Sequence, residues 1–381
     1  MDKKHILLII LIHLSAITAF SQERGFELSG YVGGMPSLIL RQPGETWWQA
    51  LIHNRLNVGW QMSNHLRMDA GMRNRVMTGS EAMLDPQSTD FDAGWADLSW
   101  NWAEGKKVLA NTAFDRLYLT FERAKWKLQL GRQRINWGQT FVWNPNDIFN
   151  THSFFDFDYP ERAGCDAFRG AYFHNETAYS ELATSVNRTG EISAALLHHW
   201  NLRNFDYQII VGEQTGSDAV LGGAWTGDFK GLNFRGEFSY FRPIKNFADT
   251  SGIFAVSVGA DYMFSNSLML QAEILYNNAR NSSSDGLLGL YSAPLSAKRL
   301  SVCDWSMFAQ ASYPVTPRLN ASVSGMYFAD IKSYYAGLSS DYSVIENLDI
   351  SLVAQFFSTP GNAASGGMKF ILGFARLKYS F

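Results

Sequence analysis

The feature that most limits what this chain can fold into is a strict alternation of polar and apolar residues in runs of about ten. Phe254, Val256, Val258, Ala260, Tyr262 and Phe264 share one parity, and Ala255, Ser257, Gly259, Asp261 and Met263 share the other. Residues 268–277, 319–327 and 348–356 repeat the pattern. Successive side chains of a strand point to opposite faces, so a period of two over this length predicts strands and excludes amphipathic helices. Past residue 22 no run of eighteen apolar residues occurs, so a membrane could be crossed only by strands.

A soluble sandwich shares this alternation, with its apolar side turned inward. Three features favour the reverse, a transmembrane barrel. The apolar faces carry aromatics near their ends, and 14% of all residues are Phe, Trp or Tyr. The opposite faces are rich in Asn, Gln, Ser, Arg and Glu, as a wet lumen requires. The chain also ends Ala375, Leu377, Tyr379, Phe381 on alternate positions. That ending resembles the closing strand of bacterial outer-membrane barrels, which implies Phe381 as the handle for the barrel-assembly machinery.

The N-terminus places Lys3 and Lys4 before an apolar run at 6–12, with Ala19 and Ser21 as the small residues of a cleavage site. This order predicts a secretory signal peptide over 1–21 and one barrel domain over 22–381. The expected location is the outer membrane of a Gram-negative-type cell, with its lipid as a partner. The chain is slightly acidic, at −3, and has no basic run, so nucleic acid is not expected as a partner. Cys165 and Cys303 lie far apart in the chain and are read as isolated buried thiols, with a disulfide between them as the alternative.

Connections are expected to alternate between short and long. Among the long ones are 33–46, 136–164, 243–251, 278–300 and 359–367. Residues 91–102 look strand-like, with Leu98, Trp100 and Trp102 alternating, but counting them as a crossing leaves an odd total. Residues 79–110 are therefore read as one external excursion with room for a hairpin or a helical turn. The expectation is an all-β, antiparallel, up-and-down transmembrane β-barrel of eighteen strands, with sixteen as the alternative and one loop folded inward. About 360 residues over eighteen strands leaves ~20 per strand and connection, which suits crossings of 9–11 residues.

Parity assigns the lumen. Arg55 lies opposite Ile52, Leu56 and Val58; Arg67, Arg73 and Arg75 lie opposite Met68 and Met72; Arg116 and Glu122 lie opposite Leu117 and Leu119; Arg235 follows later. An arginine facing lipid costs about 2–4 kcal/mol at the midplane, which forces the choice of face. Such arginines either form a positively charged wall for anionic or hydroxyl-rich solutes or pair with carboxylates to hold the wall together.

The least generic stretch is Gly131-Arg132-Gln133-Arg134, then Trp137-Gly138, then Asn144-Pro145-Asn146-Asp147. It resembles the GRQ…WG…NPxD strand and loop of alginate-export-type outer-membrane porins, and the resemblance implies a porin barrel. The departure here is an aromatic, acidic extension over 154–159. Trp137, Phe141, Trp143, Phe149, Phe154 and Phe155 need burial, so the 136–164 loop is expected inside the barrel. Its Asp147, Asp156, Asp158 and Glu161 are then expected to face the arginine wall across a narrow passage lined by Trp137 and Trp143. A cap over the barrel mouth is the alternative.

No HExxH, GxSxG, P-loop or CxxC pattern occurs. His198 and His199 are consecutive and would point to opposite faces. Neither an enzyme nor a cofactor is expected. The function read from the sequence is passive diffusion of small polar, anionic or carbohydrate solutes. The alternative is a non-conducting structural or glycan-binding barrel plugged by the 136–164 loop.

Overall fold

The computed structural model describes residues 25–42, 44–80, 84, 94–151, 154–155, 161–279, 296–360 and 367–381. The signal-peptide segment 1–21 lies outside them.

The strands, in order, are β1 (Phe26–Gln42), β2 (Glu45–Ser63), β3 (Leu66–Gly79), β4 (Ser99–Glu104), β5 (Val108–Arg123), β6 (Trp126–Gln133), β7 (Cys165–Phe173), β8 (Tyr179–Val186), β9 (Ile192–Leu202) and β10 (Phe205–Gln214). They continue as β11 (Asp218–Phe229), β12 (Leu232–Pro243), β13 (Ile253–Met263), β14 (Met269–Asn277), β15 (Trp305–Thr316), β16 (Leu319–Phe328), β17 (Ser333–Ile345), β18 (Leu348–Thr359) and β19 (Met368–Ser380). Neighbours pair antiparallel, and β1 pairs with both β2 and β19, so the sheet closes on itself. Closure gives every spanning strand a neighbour on both sides, the condition for crossing hydrocarbon. β3 pairs directly with β5, while β4 borders only Leu109 to Ala113 of β5. The spanning strands therefore number eighteen.

The two faces settle which side meets lipid. Ile52, Leu130 and Leu338 are each about three-fifths exposed on the outside. Inward positions carry Glu237, Ser239, Ser257, Glu273 and Gln355, all almost fully buried. Full burial of such aliphatic side chains is worth about 1.5–3 kcal/mol each, so a water-soluble molecule would not leave row after row of them outside. Aromatic pairs ring both ends of this belt: Phe26–Trp60, Trp126–Tyr172 and Trp200–Tyr207 at one end, Tyr276–Trp305 and Tyr334–Phe356 at the other. At the end holding Phe26 and Phe381 no connection exceeds five residues, whereas 134–164 and 278–304 lie at the opposite end. Phe381 and Gly30 exchange both backbone hydrogen bonds at 2.9 Å, which joins the terminus to the first strand.

One expected loop is instead wall. Residues 33–46 run almost entirely in β1 and β2. Gly33, Gly34 and Pro36 suggest a break, but Pro36 sits where the β1–β19 pairing lapses, between Gly34↔Leu377 and Ser37↔Phe374. Its missing N–H interrupts nothing there.

The excursion after β3 returns as the β4–β5 hairpin and lies over the outer wall. Arg132 shares the outward parity of Leu128 and Leu130, and no register shift at Gly131 turns it inward. It is nevertheless buried, because residues 94–98 cover it. Its guanidinium grips Asp166 of β7 at 2.8 and 2.9 Å and also donates to the Ala96 carbonyl. Ala96 N–H in turn donates to Asp166 at 2.8 Å. A Cβ on Gly94 would come within 2.0 Å of the Arg132 Nη2, so the cover needs glycine there. This segment completes the wall where β6 and β7 end short.

Candidate functional site

After Gln133 the chain leaves the wall and enters the lumen, as its aromatic content requires. Trp137, Val142, Trp143 and Ile148 are buried inside the barrel. Glu273 of β14 accepts hydrogen bonds from three successive loop amides, those of Phe141 (2.8 Å), Val142 (3.1 Å) and Trp143 (2.8 Å), and from the Ser257 hydroxyl. Consecutive amides aimed at one carboxylate make an anion nest, here filled by the wall itself. Glu237 of β12 accepts from the Thr140 hydroxyl and the Gln139 amide. Trp137 Nε1 donates to Glu181 of β8 at 2.8 Å, and Gln208 of β10 donates to the Trp137 carbonyl at 2.6 Å. Asn146 donates to the Gly223 carbonyl and accepts from Ser239. The loop is thus bound from β8 round to β14.

Its tip reaches further. Phe154 packs edge-on to Phe308 at 5.2 Å, and Phe155 meets Tyr335 and Phe357 at 5.2 and 5.4 Å. On the return, Tyr31 of β1 donates to the Glu161 carboxylate at 3.1 Å, and Arg116 donates to the Glu161 and Arg162 carbonyls at 2.7 and 2.9 Å. The inward placement holds; a cap over the mouth does not.

The charged residues divide into three groups. Arg55, Arg73 and Arg75 do face inward, but at 3–4% exposure they are enclosed rather than open to the passage. Arg55 forms a two-pronged ion pair with Asp115, and a Cβ on Gly71 would meet its Nη2 at 2.7 Å, so glycine lets the guanidinium lie flat. Arg67 and Glu122 sit towards the short-turn rim, Arg67 with Glu27 and Asp69, Glu122 with Lys127. Half-open to the lumen are Arg116 and Arg235. Arg235 pairs with Asp261 at 2.6 Å and stacks on Phe141 at 3.8 Å. Asp156 and Asp158 lie outside the described residues. Asp147 does not face the arginine wall: it is buried near Arg134 and Arg162 instead. Glu161 does reach that wall, through Tyr31.

Several residues were not singled out from the sequence. Parity places Asp115 with lipid-facing Leu117, but a register shift opposite Gly71 and Met72 turns it inward. Arg169 pairs with Glu181 at 2.6 and 2.7 Å. Arg376 of β19 donates to Ser351. Arg116 and Arg376 meet no carboxylate among the described residues. The inward parity of Arg169 and Arg376 was available as a signal; the partners were not. Cys165 and Cys303 are free thiols.

Asp147 gives a pH prediction. Neither carboxylate oxygen has a hydrogen-bond partner within normal geometry, and burial pushes its pKa up to about 7 against the pull of Arg134 and Arg162. A carboxyl with a raised folded-state pKa binds its proton more tightly when folded. Its packing is therefore most stable near pH 4, weakens as pH rises towards 7 and changes little above that. The weakening is of order 4 kcal/mol at most. Thermal unfolding in detergent should show the melting temperature falling from pH 5 to pH 8, and Asp147→Asn should flatten that slope. An unchanged slope would place the titrating group elsewhere.

No family model and no curated protein matches the chain. Solved structures do. Acinetobacter baumannii OccAB4 superposes with a TM-score of 0.60 at 9% identity, over 95% of this chain and 99% of that one. Pseudomonas aeruginosa OccK5 (OpdH) gives 0.60 at 8% identity, over 93% and 98%. Pseudomonas aeruginosa OpdK, solved with vanillate, gives 0.59 at 8% identity, over 93% and 98%. The fold is therefore that of the closed barrels of these proteins, here with eighteen spanning strands. These neighbours are Occ and Opd proteins rather than alginate-export-type porins.

Proposed function

We propose that the chain is an outer-membrane channel for passive diffusion of small polar solutes, with a preference for anions. Residues 1–21 serve as its cleaved secretory leader, and Phe381 as its handle for barrel assembly. The observation that carries the reading is the lumen itself: a fully closed barrel whose inner loop is bonded to the wall from β8 to β14, with Arg116 and Arg376 presenting positive charge that meets no carboxylate among the described residues. Such charges attract anions at a constriction. Kinship with alginate-export-type porins rests on the 131–147 motif alone, and this reading does not depend on it. OpdK with its bound vanillate, an aromatic carboxylate, is a structural neighbour that suits a small carboxylate as solute.

The enclosure of Arg55, Arg73 and Arg75 favours a second reading, a barrel plugged by the inner loop. Planar bilayers separate the two. A channel gives stepwise conductance, and liposomes carrying it swell faster in small carboxylates than in neutral sugars of equal size. Protein that inserts and never conducts is the plugged barrel.

A further inference from the structure

On the outer face, at the rim that carries Phe26 and Phe381, lies a polar cluster the lumen does not use. His174 Nε2 stands 2.8 Å from Ser180 Oγ, and Ser180 Oγ stands 2.9 Å from His198 Nδ1. Ser180 and His198 are direct cross-strand partners on β8 and β9. They share the outward parity of Leu182 and Leu196, which are 47% and 51% exposed. Lys125 Nζ donates to the His174 backbone carbonyl at 3.1 Å, which fixes an ammonium on the turn that carries His174. Aromatics flank the group on both sides: Trp126–Tyr172–His174 at 4.8 and 5.1 Å, and His198–Trp200–Tyr207 at 5.6 and 5.7 Å.

We propose that this cluster binds the phosphodiester of a glycerophospholipid in the periplasmic leaflet. The proposal rests on the barrel spanning the membrane, and not on its conducting.

A hydroxyl between two imidazoles has one proton. It donates to one ring nitrogen and accepts the N–H of the other ring. Each ring keeps a second nitrogen directed away from the serine, one carrying a proton and the other bare. The free ring N–H is a donor for a phosphodiester oxygen, and Lys125, held at the His174 carbonyl, supplies the positive charge that the anion requires. The height fits. Aromatic girdles mark headgroup level, and short turns mark the periplasmic side of such barrels. The Leu182–Leu196 pair lies two residues further into the membrane, about 7 Å along the strand, where acyl chains begin. Gly170 on β7 pairs with Leu182, and the Leu128 and Phe168 side chains close over it within 3.3–3.4 Å of where its Cβ would stand, so the apolar surface runs on unbroken beside this pair. The site thus has a polar end and an apolar track in the order of a lipid's own parts. Free phosphate would satisfy only the first, so the lipid is the ligand the surface selects.

The test is native mass spectrometry of the full-length mature protein, released from detergent after addition of phosphatidylglycerol or phosphatidylethanolamine. Wild type should retain a lipid that His174→Gln/His198→Gln loses by at least tenfold, with Ser180→Ala in between. Diacylglycerol, which lacks the phosphate, should not be retained, and inorganic phosphate should not displace the lipid. Heat-modifiable gel mobility checks that each variant still closes its barrel. Equal retention by wild type and both variants overturns the proposal. So does zinc(II) binding that depends on His174 and His198 while lipid retention does not, since the cluster would then be a cation site. A protein that fails to enter phosphatidylglycerol vesicles at all defeats the membrane-spanning reading instead.

Discussion

Replacing Arg116 and Arg376 by glutamine together lowers the anion-to-cation permeability ratio of the reconstituted protein by tenfold or more. Both side chains face the lumen, both are half-open to it, and neither meets a carboxylate among the described residues. A unit charge ~4 Å from a passing ion contributes about 1 kcal/mol even at the dielectric of water. That is about a fivefold change in partition for each charge removed. The reversal potential across a salt gradient in planar bilayers reads the ratio directly. Arg376→Gln alone should give about half of the effect in logarithmic terms, without touching the loop. Arg116→Gln also frees the Glu161 and Arg162 carbonyls, so part of its effect should appear as conductance noise. A reversal potential unmoved in the double variant would show that the selective charges lie elsewhere. The enclosed Arg73 and Arg75 would then be the next to examine.

Removing the Glu273 carboxylate has the second large effect. It accepts from Phe141, Val142 and Trp143 N–H and from Ser257, so Glu273→Ala strips the acceptor from four donors at once. Hydrogen bonds to a charged group contribute about 1.5–3 kcal/mol each, and a buried donor left without a partner costs about 1–3 kcal/mol. The loop should detach from β13 and β14 while the strand pairing persists, because every strand keeps both neighbours. Single-channel conductance should rise several-fold, with frequent excursions between levels. Glu273→Gln keeps one acceptor oxygen and turns an NH2 towards the amides, so it should fall between wild type and alanine. Conductance unchanged in Glu273→Ala would mean that the loop does not set the narrowest point. The Trp137–Glu181 bond at the other end should hold the first turn of the loop in either variant.

Much of the barrel was legible from alternation alone. Parity placed Arg55, Arg73 and Arg75 inside and Ile52 and Leu130 outside, because a charge facing hydrocarbon and a greasy side chain facing water are both costly. Alternation alone makes residues 91–102 look like a crossing; the even strand count made them an excursion, and residues 99–104 form β4, which does not span. The rule failed at Asp115, where one extra residue in β5 reverses the face of everything before it. It misled at 33–46, where Gly and Pro suggest a turn but the neighbouring strands still supply partners. It could not tell whether Arg132 was exposed to lipid, because the answer lies in residues 94–98, which cover it from outside the local pattern.

The loop shows the limit most plainly. Its aromatic content required burial, and burial within a barrel means the lumen. Which wall it would join depended on Glu181, Glu237 and Glu273, between 44 and about 130 residues away along the chain. What the amino-acid order alone determined was the orientation of each strand, since the alternation is local and the solvent penalty acts on each residue separately. What only the tertiary structure decided was which inward charges are enclosed and which meet water. That depends on where the inner loop lies, and its position is set by hydrogen bonds between groups that no short-range pattern connects.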